Sequence, residues 1–297
     1  MVKLVAEYAP AKINLCLRIT GKRTDGYHEL DSIFLPISWT DLVRLEVRPS
    51  RAARVHLNCD DRAISDPESN LASRAAAAFM REHAIAADVS IDLRKRIPMG
   101  AGLGGGSSDA GAVLRMMAEI FAIGPDARLG EVAVKLGADV PFFLDPRPAR
   151  VRGIGEKIEA LPSMPRVHLV VAVPDVAVPT ASIFRALKRE HWSGPLPDSD
   201  RSAILAGRIS ADQTVNDLEA AAIDLYPAIA GVKQVLEEEG ATAVAMSGSG
   251  GSVFGLYPDA AAAREAAGRI RARMGSGRVE AVFTTSHQEL RRTPLVD

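Results

Sequence analysis

Between Lys12 and Ile19 the chain alternates strictly: Ile13, Leu15, Leu17 and Ile19 fall on one side, and Lys12, Asn14, Cys16 and Arg18 on the other. This period-two pattern predicts a strand with one buried face. After a turn signal at Thr24–Gly26, "YHELDSIFLPIS" predicts a returning strand, and "DLVRLEV" and "ARVHLN" predict two more. The period then changes. In "NLASRAAAAFMREHA" Leu71, Ala75, Ala78 and Phe79 share one helical face, and "VSIDLRKRI" returns to a strand. Further on, Ala110, Val113, Leu114, Met117 and Phe121 recur at helical spacing. They predict a helix capped by Ser107 or Ser108, with Asp109 in its first turn, that stops at Gly124-Pro125. A short helix at "EVAVKL" should end at Gly137, leaving Asp139 in a loop before Pro141.

The second half repeats this mixture. A proline-bearing link at Leu161–Pro165 leads into the strand "VHLVVAV", which places a domain boundary between residues 1–160 and 161–297. The segment around Ser193 to Ser202, "SGPLPDSDRS", predicts a mobile loop. Helices at "VNDLEAAAIDLY" and "AIAGVKQVLEEEG" follow, then a hairpin at "ATAVAMSGSGGSVFGLY", a helix at "AAAAREAAGRIRARM" and a closing strand at "VEAVFTT". The fold class this predicts is α+β, with sheets and helices packed in layers.

Composition narrows the function. A chain of 297 residues with a formal net charge of -1 has no field to draw it to nucleic acid or to an anionic membrane, so its partner is expected to be a small molecule. Cys16 and Cys59 suggest neither a disulfide framework nor a zinc site, which fits a reducing cytoplasm. The start "MVKLVAEYAPAKINL" lacks the apolar core of a signal peptide, and no run approaches the roughly 18 apolar residues of a membrane helix.

The most specific stretch is "PMGAGLGGGSSDA", in which Gly100, Gly102, Gly104, Gly105 and Gly106 stand directly before a helix. A helix N-terminus carries unpaired N–H groups and partial positive charge, and glycine lets the backbone itself close around an anion. Ser107 and Ser108 would add hydroxyl donors or oxygen ligands for magnesium. The stretch therefore predicts a phosphate cradle rather than a flexible linker. "GAGLGG" satisfies G-x-G-x-x-G, yet the strand before it carries "RKR" and the acidic residue downstream, Glu119, lies inside the helix, unlike a dinucleotide site. No lysine follows the glycines, which excludes a Walker-type loop.

Three segments, in order, resemble the GHMP kinase superfamily, whose members phosphorylate small alcohols from ATP: "APAKINLCLRITGKRTDGYHEL", then "PMGAGLGGGSSDA" with "GADVPFF", then "SGSGGSVFGLY". Within that superfamily "KINLCL", "DGYHEL" and "GADVPFF" are similar to the branch whose acceptor is 4-diphosphocytidyl-2-C-methyl-D-erythritol, in the non-mevalonate route to isoprenoid precursors. The resemblance implies an N-terminal ATP-binding domain of the ribosomal-protein-S5-domain-2-like type and a C-terminal ferredoxin-like domain, with the active site between them. It implies ATP as phosphoryl donor, accompanied by Mg2+ through ligands the sequence does not identify.

The resemblance also assigns residues. Lys12 and Asp139 would form the catalytic pair, and Pro98, Met99, Gly100, Ala101, Gly102, Leu103, Gly104, Gly105, Gly106, Ser107 and Ser108 would wrap the ATP phosphates, with Asn70 near the adenine or ribose. Asn14 would hold substrate hydroxyls, Tyr27 and His28 would recognise the cytosine with Phe184 on its other side, and Thr180 and Gly248 would approach the acceptor. Phosphoryl transfer asks mainly for positioning and charge neutralisation, so Asp139 would orient the attacking hydroxyl and take its proton late. A solvated strand lysine, a turn aspartate and a core phenylalanine are the plain alternatives for Lys12, Asp139 and Phe184. Other readings are a kinase for mevalonate, homoserine or a sugar, a nicotinamide oxidoreductase using "GAGLGG", and a non-catalytic nucleotide sensor.

Overall fold

A computed structural model of the chain describes residues 2–124, 127–293 and 295. Pro125, on which part of the predicted helix stop rests, lies outside the described residues.

The first sheet is built on two long antiparallel strands, β1 (Lys3–Lys22) and β2 (His28–Pro49). "YHELDSIFLPIS" and "DLVRLEV" are therefore one strand rather than two. The interruption near Pro36 is a bulge, with Pro10 opposite Thr40 but Ala11 opposite Ile37, which takes up extra residues without ending the pairing. β3 (Arg54–Cys59), α1 (Leu71–Glu82) and β4 (Ala87–Arg94) form a parallel strand–helix–strand unit added to β2. α2 (Gly105–Ile120) and α3 (Ala127–Leu136) join α1 over this sheet, burying Phe79, Val113 and Met117 against Val43, Leu45 and Ile91. α2 stops short of Gly124. Ala122 takes a left-handed conformation (φ 53°) and the Ile123 N–H bonds the Ala118 carbonyl at 2.9 Å, a closure that the sequence signal at Gly124 had misplaced. β5 (Ala149–Gly153) and β6 (Lys157–Ala160), which no periodicity announced, extend the sheet beyond β2.

After Ala160 the chain crosses to a second sheet, beginning with β7 (His168–Val173). Four helices follow: α4 (Thr180–Ala186), α5 (Asp198–Leu205), α6 (Glu219–Leu225) and α7 (Ala228–Glu238). Then come the hairpin β8 (Val244–Met246) and β9 (Val253–Tyr257), α8 (Ala260–Met274) and β10 (Arg278–Phe283). The strand order β10-β7-β9-β8, antiparallel throughout, is the ferredoxin-like arrangement. A last short helix, α9 (His287–Leu290), returns to β1.

The two sheets share a middle layer. Ile13, Leu15, Leu35 and Ile37 of the first pack with Leu169, Val171, Phe254 and Val282 of the second. The outer face of the second sheet is covered by Ile229, Val232, Leu236, Ala266 and Ile270. This layering corrects the one-faced reading of the first strand. From Ala9 to Leu17 every residue is buried, because the polar face of β1 lies under loops rather than in water. The segment read as a mobile loop is also fastened. Leu196 is buried with its N–H on Asp31 Oδ2 at 3.0 Å, the Ser193 N–H meets Asp217 Oδ2 at 2.8 Å, and α5 occupies the rest. No helix among the described residues is long and apolar enough to cross a membrane.

Candidate active site

The chain from Ile97 to Gly104 turns back on itself through three left-handed glycines, Gly100 (φ 64°), Gly102 (φ 73°) and Gly104 (φ 72°), before α2 begins. Gly104 is the N-cap, so Ser107 and Ser108 do not cap the helix but sit in its first turn. The loop needs a positive φ at the cap, which glycine meets without the steric cost a serine would carry. The first N–H groups of α2 consequently have no side-chain cap and remain open to an anion. A cavity of about 360 Å³ lies here, lined by Asn70, Lys95, Pro98, Met99, the glycines and Ser107. Asn70 caps α1 by accepting the Ala72 N–H at 2.9 Å. Ser108 is fully buried outside that lining, and its hydroxyl has no hydrogen-bond partner among the described residues.

Behind the loop lies a buried charged cluster that the sequence reading did not identify. Lys95 Nζ bridges Asp41 and Asp109, bonding Asp109 Oδ2 at 2.7 Å. Asp41 Oδ1 also accepts the backbone N–H groups of Arg96 (2.5 Å) and Ile97 (2.8 Å). Burial and the neighbouring Asp41 charge push the Asp109 carboxyl up to about 8. Lys95 is held above its ordinary value, since the two carboxylates outweigh the burial that opposes its charge. Both ends of the glycine loop are thereby tied to β2.

A second loop, Ser247–Gly251, closes over the first. Ser252 Oγ donates to the Ala101 carbonyl at 2.6 Å and Ser247 Oγ to the Gly102 carbonyl at 3.3 Å. A Cβ on Gly102 would fall on the Ser247 carbonyl oxygen, and one on Gly251 would stand 3.0 Å from Ala101 Cα. The two glycine runs thus meet backbone to backbone. Gly248 (φ 59°) sits at the contact, close to Asn14 Oδ1. Asn216, unsuspected from sequence, donates to the carbonyls of Met246 (2.7 Å) and Gly248 (2.9 Å) and holds this loop in place.

Lys12 reaches the meeting point from β1. Its side chain is only 4% exposed, with Nζ 2.7 Å from Asn14 Oδ1, 3.5 Å from Asp139 Oδ2 and 4.7 Å from the Phe34 ring centre. Its backbone N–H donates to the Leu103 carbonyl at 2.9 Å, joining strand to loop. Asn14 is fixed in turn, its Nδ2 donating to Ser32 Oγ at 3.0 Å and its N–H to Ser247 Oγ at 3.1 Å. Asp139 stands in the loop before Pro141, outside regular structure, with its side chain 32% exposed. An ammonium, an amide and a part-exposed carboxylate converge beside open helix N–H groups, an arrangement able to hold a hydroxyl in line with a phosphoryl group.

A group of aromatic residues gathers at the start of β2. His28, at the start of β2, stacks on Phe184 (centroids 5.5 Å apart, planes at 25°) and meets the edge of Trp192 at 5.7 Å. Burial and the nearby Lys22 charge hold His28 below its usual value, so its ring is neutral at neutral pH. Tyr27 is exposed beside it. Thr180 Oγ1 lies 2.7 Å from Ser249 Oγ, linking α4 to the second glycine loop. Trp192, just ahead of the segment read as mobile, went unnoticed because no local pattern singles it out. Among the described residues no group of three or more His, Cys, Asp or Glu side chains is placed to hold a metal.

The model of the GHMP kinases N terminal domain matches residues 70–145, and that of the GHMP kinases C terminal matches residues 196–276. The 4-diphosphocytidyl-2-C-methyl-D-erythritol kinase of Geobacter sp. (strain M21) is 40% identical over 268 residues, covering 90% of this chain and 94% of the relative. A crystal structure of 4-(cytidine 5'-diphospho)-2C-methyl-D-erythritol kinase superposes with a TM-score of 0.82 at 38% identity, over 95% of this chain and 100% of the other. The homoserine kinase of Cytophaga hutchinsonii shares the fold, with a TM-score of 0.71 at 19% identity over 95% of each chain. Motifs, strand order and relatives agree: the chain belongs to the GHMP kinases, in the 4-diphosphocytidyl-2-C-methyl-D-erythritol kinase branch.

Proposed function

We propose that this enzyme transfers the γ-phosphoryl group of ATP to the 2-hydroxyl of 4-diphosphocytidyl-2-C-methyl-D-erythritol, giving the 2-phosphate and ADP. The observation that carries this reading is the approach of Lys12 to Asp139 beside Leu103 and Gly104, where the glycine loop meets α2. Relatives near 40% identity bear that enzyme's name, whereas the homoserine kinase shares only the fold. The acceptor alternatives are correspondingly disfavoured.

In this reading residues 98–107 and the N-terminus of α2 hold the phosphates through main-chain N–H groups, with Asn70 and Lys95 lining the nucleotide side. Lys12 supplies positive charge where negative charge accumulates on the equatorial oxygens. Asp139 accepts a hydrogen bond from the attacking hydroxyl, orients it and takes its proton as the new O–P bond forms. Asn14, held by Ser32 and Ser247, fixes a neighbouring hydroxyl of the acceptor. The cytosine is recognised by His28, Tyr27 and Phe184, and the neutral imidazole can both donate to and accept from a base edge. Residues 161–297 contribute Thr180, Phe184 and Gly248 to the acceptor side, so the working division of the chain falls near residue 160.

Magnesium would be held mainly by the phosphates of the nucleotide that carries it. Near the cradle Ser107 and Asp139 would offer hard oxygen donors, the Asp109 carboxyl there being engaged by Lys95, and among the described residues no cage forms, which suits an ion that keeps several waters and is carried by phosphates. It supplies charge neutralisation at the transferred group. The free Cys16 and Cys59 fit work in a reducing cytoplasm. A coupled assay of ADP release settles the acceptor: turnover with the cytidylyl substrate and none with mevalonate or homoserine is expected, and the reverse pattern overturns the reading.

A further inference from the structure

A buried ion pair is a poor stabiliser, because desolvation offsets most of its attraction, and a well-packed apolar pair usually does as well. One such pair, Glu7 with Arg115, lies outside the glycine-loop cavity. Both side chains are less than 10% exposed, and Arg115 donates to Glu7 Oε2 from Nε at 3.1 Å and from Nη2 at 2.8 Å. Its remaining arm, Nη1, donates to the main-chain carbonyl of Phe143. The partners of this guanidinium come from the elements that carry the catalytic pair. Glu7 precedes Lys12 on β1, and Phe143 follows Asp139 in the "GADVPFF" segment.

The helix that carries Arg115 is shaped to the same residue. Gly111, one turn earlier on the same face of α2, comes so near Phe143 that a Cβ would stand 2.6 Å from both its Cβ and its carbonyl oxygen. A Cβ on Gly104, at the cap, would touch the Phe143 ring at 3.0 Å. One stripe of α2 therefore fits Phe143 from the phosphate end to Arg115.

We propose that Arg115 is a positioning residue for phosphoryl transfer: by gripping the Glu7 carboxylate and the Phe143 carbonyl together, it sets the spacing of Asp139 from Lys12 and from the open end of α2. This rests on the reading of Asp139 given above. A planar fork can hold two acceptors in fixed directions, which an ammonium cannot. Displacing a reacting group by about 1 Å costs on the order of 100-fold in rate, whereas the surfaces that bind the two substrates are left intact.

The test uses Arg115→Lys and the double variant Glu7→Leu/Arg115→Met, which removes both charges of the pair, His287 at 3.4 Å from Glu7 Oε2 being the other group that loses a contact. Each is assayed for kcat, for KM of ATP and of the cytidylyl acceptor, and for thermal melting. The expected result is a kcat lowered about 10- to 100-fold with both KM values within about threefold of wild type, in proteins that melt cooperatively. Adding Asp139→Asn to either variant should lower kcat little beyond Asp139→Asn alone, because Arg115 acts through Asp139. Unchanged kcat in folded variants overturns the proposal, as does a loss confined to KM or a full multiplication of the two defects. If the double variant does not fold, Arg115→Lys decides by the same readouts. Wild-type kcat in Asp139→Asn alone would instead sink the reading of Asp139, and the proposal with it, so the two failures are told apart.

Discussion

Lys12 Nζ lies 3.5 Å from Asp139 Oδ2, the two side chains arriving from the first strand and from the loop after α3. The Lys12 ammonium is also claimed by Asn14 at 2.7 Å, so its position is fixed before any ligand enters. Lys12→Ala and Asp139→Asn should each lower kcat by about 100- to 10,000-fold, with a smaller effect on KM for ATP. The double variant should be scarcely slower than the worse single one, since the pair acts as a unit. Steady-state kinetics with the cytidylyl acceptor check this, and near-wild-type turnover in either single variant would contradict it.

The glycines of the cradle are not equivalent. Gly100 faces open space, so Gly100→Ala meets only the cost of a left-handed alanine, about 1–2 kcal/mol. Gly102→Ala drives a methyl group into the Ser247 carbonyl and should cost more, while also raising KM for ATP by separating the two loops. Urea unfolding and nucleotide titration of the two variants measure the difference. Equal losses would mean that the loops part without consequence.

In the proposed reading, stacking holds the cytosine of the acceptor. Phe184 lies flat against His28 at 5.5 Å, and an aromatic platform contributes about 1–3 kcal/mol per stacked base. Phe184→Ala should therefore raise KM for the cytidylyl acceptor by roughly tenfold or more and leave KM for ATP unchanged. A parallel rise in both constants would place Phe184 in the core instead.

Asp109 gives the protein a pH signature. Its carboxyl is raised to about 8 in the folded state, so the native protein holds a proton that the unfolded chain releases near the ordinary carboxylate value. Stability from this group is accordingly lost as pH rises from about 4 towards 8, and changes little above that. Asp109→Asn keeps the neutral form at every pH, so its advantage over wild type should grow across that window. Denaturant midpoints at pH 5, 6.5 and 8 test the trend, and parallel curves would refute it.

Sequence alone made the tight glycine turn before α2 legible, because five glycines before an amphipathic helix leave few other uses for the backbone. It also put Lys12 and Asn14 on one face of a strand. What it misjudged was context. A serine next to a helix start resembles a cap, yet the turn at Gly104 demanded a positive φ that outranked side-chain capping. Polar residues on β1 resembled a solvated face, although loops from distant sequence cover them. The segment after Trp192 had the proline and glycine content of a mobile link, but buried Asp31 and Asp217, each silent in any local pattern, pin its backbone. Asn216 and Arg115 escaped notice for the same reason: each is informative only through a partner far along the chain.

The apolar layer common to both sheets has a thermodynamic consequence. Ile13 and Leu35 on one side and Leu169 and Phe254 on the other lose their burial together if the halves part, so neither half retains a complete interior alone. Heating should then give a single cooperative endotherm in which calorimetric and van't Hoff enthalpies agree, despite the presence of two sheets.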